Sequence, residues 1–142
     1  MQARRVRFHL NRKAVFYGCI TDIGASVVAG ILLTVVVASG AGNAAALRDA
    51  TDSTGYGLAS FVLGLAATGL GGYVAARFAP RLELTHALAV GVVMTAFGLL
   101  ASVVLVRTGV TFLDALTLIL TLPAALVGGM ARLSQVERVA AS

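Results

Sequence analysis

The sequence predicts an all-α fold, a polytopic membrane bundle of four transmembrane helices with both termini cytoplasmic. Three observations predict it. Hydrophobic residues make up 58% of the 142-residue chain, charged residues only 12%, and the mean hydropathy is +0.93, against roughly 25% charged residues in a soluble domain. Four apolar runs, at about 14–39, 55–77, 84–106 and 112–132, match the ~20 residues that cover a ~30 Å hydrocarbon core. Of the 11 Lys and Arg, all but Arg48 and Arg107 fall on one side of such a layout, the side that the positive-inside rule makes cytoplasmic. The +5 net charge sits at the ends of apolar runs. That pattern implies topology and anionic lipid, and no nucleic-acid partner.

Residues 1–13 form a basic cytoplasmic arm carrying Arg4, Arg5, Arg7, Arg12 and Lys13, interleaved with Val6, Phe8 and Leu10. The arm orients the first helix and meets lipid headgroups, as Arg77, Arg81 and Arg132 do at later helix ends. A secretory signal is disfavoured, because the apolar run that follows far exceeds the ~7–15 residues of a signal h-region.

The first span holds one formal charge, Asp22. Such a group costs about 2.5–3.5 kcal/mol at mid-helix on the insertion scale and is a functional candidate by default. Gly18, Ala25, Ser26 and Ala29 share its helix face, while Ile20, Val27 and Ile31 lie opposite. Small residues face helices and bulky aliphatics face lipid, so Asp22 is expected to point into the bundle.

Residues 40–53 read as a loop, with Ala44 to Leu47 as a short surface turn and Asp52, Ser53 or Thr54 capping the second span. In that span Ser60, Gly64, Thr68, Gly72 and Ala76 recur every fourth residue, a ladder for close helix contact. Pro80 ends it. The third span has Ala87, Gly91 and Thr95 at the same spacing, then Gly98 and Ser102, with His86 expected at the interface. Thr111 to Asp114 resembles a capping box for the fourth span. That span carries Thr117, Thr121, Ala125 and Gly129 in a ladder, with Gly128 beside it and Pro123 inside. Residues 133–142 are expected to be a polar cytoplasmic tail. The glycine pairs Gly71-Gly72 and Gly128-Gly129, each followed by an arginine, suggest a parallel repeat of two hairpins.

One candidate polar site emerges. Asp22 lies about 13 Å in from Lys13 at 1.5 Å per residue, and Thr68, Thr95, Thr121 and Pro123 lie at similar depths from their own helix ends. A proline at 123 frees the carbonyl of Ile119, so one layer is expected to combine a carboxylate, three hydroxyls and a broken helix. No nucleophile–base–orienter set is visible, and Cys19 is the sole cysteine beside two distant histidines. No enzyme, metal or cofactor is expected.

The stretch GGYVAARFAP (71–80), followed by L-x-x-A-L with the pair His86-Ala87, resembles small, uncharacterised four-helix bacterial inner-membrane proteins. Asp22-Ile23-Gly24 in the first helix fits the same pattern. The resemblance implies a fold and a compartment, the bacterial inner membrane, and no activity. Two functions are expected from the residues. The first is association through helix faces, as a homo-oligomer or as an accessory subunit of a membrane complex, because the ladders outnumber the faces of one bundle. The second is a small proton- or cation-linked transporter or channel with Asp22 as its coupling residue.

Overall fold

The computed structural model describes residues 10–79, 82–105 and 112–140. They form five helices: α1 (Arg12–Gly40), α2 (Ala44–Thr51), α3 (Thr54–Phe78), α4 (Glu83–Leu105) and α5 (Phe112–Ala140). The stretches Arg12–Gly40, Thr54–Phe78, Glu83–Ser102 and Phe112–Val139 are each long and apolar enough to cross a membrane. Arg4, Arg5, Arg7, Arg81 and Thr111 lie outside the described residues.

Polar side chains set the helix starts. The Asn11 side chain accepts the Lys13 N–H at 3.1 Å, Asn43 accepts that of Ala46 at 2.9 Å, and the Ser53 hydroxyl accepts that of Tyr56 at 3.2 Å. Each cap satisfies a donor that the helix cannot. Ser53 is thus the cap among the three residues expected to compete for that role. Two boundaries differ from expectation. Residues 44–51 make a capped helix rather than a turn, because Asn43 supplies its cap and the Ala-rich run that follows has high helix propensity. At the other end, α5 continues past Arg132 to Ala140, about 12 Å further at 1.5 Å per residue. The Tyr73 hydroxyl donates to Gln135 Oε1 at 2.7 Å, tying this extension to the end of α3. Pro123 does not break α5, which runs through it as one helix; a spanning helix tolerates proline when its surroundings re-satisfy the freed carbonyl.

The bundle is a rhombus in cross-section. α3 and α4 meet across the short diagonal, each packs against both α1 and α5, and among the described residues α1 and α5 share no contact. Its interior is made of small residues, with Ala14, Ala67, Ala75, Ala76, Ala87 and Ala125 buried and Val90 the bulkiest aliphatic among them. The large side chains are outside: Phe16, Ile20, Val28, Leu32 and Val36 of α1 are each more than half exposed. A water-soluble protein hides such residues. A bundle whose outer solvent is hydrocarbon gains nothing by hiding them, and packs by close backbone approach instead.

Glycine makes that approach possible. A Cβ at Gly71 would lie 2.8 Å from the Gly18 carbonyl oxygen and 2.9 Å from Asp22 Cβ, so α1 crosses α3 there with no room for a side chain. At the α3–α5 crossing, a methyl on Gly72 would overlap the Ala125 carbonyl and one on Gly128 the Gly69 carbonyl. Gly18, Gly91, Gly98 and Gly129 also abut neighbouring helices. The ladder of α3 is used only in part. Thr68, Gly72 and Ala76 are buried, whereas Ser60 is exposed and Gly64 faces open space.

Gly128→Val and Gly72→Val force backbone apart and are expected to cost about 3 kcal/mol each. Gly64→Val meets nothing and is expected to be tolerated; reversible unfolding in mixed micelles compares the three.

Candidate functional site

Asp22 stands on the inward face of α1 and is 1% exposed. Gly18, one turn earlier, and Gly71 on α3 lack the side chains that would push the helices apart, so the carboxylate is enclosed where α1 crosses α3. Its Oδ1 accepts hydrogen bonds from Thr68 Oγ1 at 3.3 Å and from Ser26 Oγ at 3.4 Å. Its Oδ2 is buried and meets no partner among the described residues.

Two neighbouring hydroxyls bond the carboxylate rather than their own backbone. In spanning helices Ser and Thr ordinarily donate back to a carbonyl one turn earlier. Here Thr21, Thr34, Ser102, Thr117 and Thr121 all do so, to Tyr17, Gly30, Gly98, Leu113 and Thr117. Ser26 and Thr68 give that bond up for Asp22. Thr95 also makes no such bond, and its buried Oγ1 has no partner among the described residues.

The helix crossings fix the level of these groups. On α1 and α4, which run the same way, a Cβ at Gly18 would lie 2.6 Å from Val90. Asp22 and Thr95 stand about 6 Å and 7.5 Å further along from that contact at 1.5 Å per residue. Gly72 lies against Ala125, and Thr68 and Thr121 each stand one turn before it on the parallel helices α3 and α5. Asp22, Thr68, Thr95 and Thr121 therefore share one level. Thr121 is 6% exposed, but its hydroxyl is spent on its own helix. Pro123 is exposed on the outside of α5 and does not join them.

A second polar centre lies at the end of the bundle where α1 and α4 begin. His86, expected at an interface, is 1% exposed. Its Nε2 accepts the backbone N–H of Asn11 at 2.8 Å, so Nδ1 carries the ring proton and donates to the Leu82 carbonyl at 2.9 Å. These two bonds fix the ring's orientation and tautomer. Leu82 adopts the left-handed backbone at φ 60°, and its carbonyl also receives the N–H groups of Thr85 and His86. This turn tucks the first turn of α4 beneath the cap of α1, which buries the histidine. Its i+4 neighbour Val90 is also fully buried.

At the opposite end, Thr34 donates to Gly30 and so accepts from the Tyr56 hydroxyl at 2.9 Å. Tyr56 also lines shallow grooves on two sides, one with Gly30 and Val35 and one with Ser60 and Thr117.

Removing the His86 ring leaves a buried Asn11 N–H without an acceptor. His86→Ala is expected to cost about 1–3 kcal/mol and to speed hydrogen exchange at the Asn11 amide while that of mid-α3 stays slow. Thr68→Val is expected to cost only about 0.6 kcal/mol, the average for an interhelical hydrogen bond in a membrane.

No protein-family model, curated protein or solved structure matches this chain, so its function is argued from its own residues.

Proposed function

We propose that this chain is a multi-pass protein of the bacterial inner membrane that works through helix–helix association, as a homo-oligomer or as an accessory subunit of a membrane complex. One observation carries the proposal: small residues remain that the bundle itself does not use. Gly24 and Gly30 of α1 and Gly64 of α3 have nothing within 4 Å of where a side chain would stand, and Ser60 is exposed. Bare backbone on a lipid-facing surface lets another helix approach closely. The small residues left on α1 lie among exposed Val27, Val28, Ile31 and Leu32.

This reading has both termini in the cytoplasm. The starts of α1 and α4 are tied by Asn11 and His86, and the ends of α3 and α5 by Tyr73 and Gln135. Arg12, Lys13, Arg77 and Arg132 gather at that end, with Arg48 on α2 at the other, which supports the assignment by the positive-inside rule. The two hairpins are read as a parallel repeat, supported by one glycine of each pair, Gly72 and Gly128, lying in the α3–α5 crossing.

A second reading, a small cation-linked transporter with Asp22 as the coupling residue, is favoured by the unpartnered Oδ2 of Asp22. Native mass measurement and crosslinking in mild detergent test the first reading. More than one protomer, or a co-purifying membrane protein, is expected, whereas a monomer at all concentrations overturns it. Asp22→Asn separates the two readings: lost assembly speaks for a structural acid, and lost flux in vesicles with assembly intact speaks for transport.

A further inference from the structure

We infer that the groove between the first halves of α1 and α4 holds one acyl chain of an anionic phospholipid whose phosphate is met by Arg12. This goes beyond both readings above and depends on neither, since a monomer that carries no flux can bind a lipid. α1 and α4 run side by side from the end where Asn11 meets His86. Of the spanning pairs that touch, they touch least, and Gly18 faces Val90 where they meet. Cys19 and Ala89, each next in sequence to that contact, line a groove of about 430 Å³. Its size falls within the ~300–1,000 Å³ of small-ligand clefts.

The groove has a charged end and an apolar end. Arg12 lines it at the start of α1 and is exposed. Val15, Phe16 and Cys19 follow on the same face, so the apolar part runs about 10 Å onward from Arg12 at 1.5 Å per residue. Ala89 and Val93 stand across it. The ring centroids of Tyr17 and Phe78 lie 5.3 Å apart, an aromatic pair of the kind that gathers at the membrane–water boundary. Arg12, nearer the helix start, is thereby set at the phosphates, and the groove runs along the acyl chains. No acid is among the described residues that line it. Glu83, in the first turn of α4, precedes Ala89 by six residues and stands about 120° round the helix from it. The sequence just before α1 adds Arg4, Arg5 and Arg7 and no acid. Basic pockets between spanning helices suit anionic headgroups. Another helix fits this groove less well. Close helix approach needs small residues, and exposed Phe16 and Val93 wall the groove. A flexible hydrocarbon chain fills the space between such walls.

The chain has no tryptophan, so a single one introduced at a chosen point reports its lipid neighbours by quenching. Phe16→Trp puts the reporter on the groove wall. Val127→Trp puts it at an exposed position of α5, a helix that α1 does not touch among the described residues. The full-length protein is reconstituted in mixed vesicles of phosphatidylcholine and phosphatidylglycerol, with brominated acyl chains on one lipid or the other. In Phe16→Trp, quenching is expected to favour phosphatidylglycerol roughly tenfold, the worth of one hydrogen bond to a charged group. In Val127→Trp little preference is expected. Adding Arg12→Gln to Phe16→Trp is expected to remove the preference, and adding Arg132→Gln to leave it. Ala89→Phe, which fills the groove and keeps the arginine, is expected to remove it too. Equal preference at the two reporters, or a preference that survives Arg12→Gln, means a general surface-charge effect and overturns the site. A Phe16→Trp reporter that neither lipid quenches also overturns it, because a second copy or another protein then covers the groove.

Discussion

A carboxylate carried into a bilayer must be enclosed by protein, and in this chain glycine makes the enclosure. Asp22 fits between α1 and α3 only because Gly18 and Gly71 offer bare backbone beside it; a side chain at either position would strike the facing helix. The resulting crossing places Thr68 within hydrogen-bond reach of Oδ1. Hydrogen bonding and packing are one constraint here. Widening the crossing by a methyl group would both cost packing and draw Thr68 from the acid.

The same constraint explains the shape of the bundle. Because lipid provides no hydrophobic drive between helices, attraction must come from contact at short range, and short range needs small residues. α3 has them on more than one face: Gly71 toward α1, Gly72 and Gly69 toward α5. It is therefore the helix around which α1 and α5 are arranged without meeting each other. α4 closes the other side with Gly91 and Gly98 toward α5, and with His86 beneath the start of α1. Large aliphatics are left for the outside, an inversion of the soluble pattern that composition had already implied.

Much of this is legible in the sequence. Four apolar runs gave four spans, and the face of α1 followed from small residues clustering around Asp22. Ser53 is one of three residues the sequence offers as a cap, whereas the caps made by Asn11 and Asn43 escape it. What else escaped has a common cause: it depends on the register between helices. Ser60 and Gly64 continue the ladder of α3 in sequence, but no helix of this bundle closes over that end of it. Gly71 belongs to no ladder and makes the crossing that matters most. His86 needs a left-handed Leu82 to reach Asn11, and no spacing announces that turn. Pro123 matched the polar layer in depth and missed it in azimuth, since depth counts residues whereas direction depends on which face α5 turns to its neighbours.

The enclosure of Asp22 within a lipid-facing bundle is tested most directly by collision accessibility of nitroxides on α1, in bilayers, with Cys19 replaced by Ala. A label at Ile20, which is 51% exposed, should collide freely with oxygen dissolved in lipid and little with a water-soluble nickel reagent. A label at Ser26, on the face of Asp22 and half-buried, should be shielded from both. Equal oxygen collision at the two positions, or strong nickel collision at Ser26, would mean that the acid looks out on lipid or water and would contradict the enclosure.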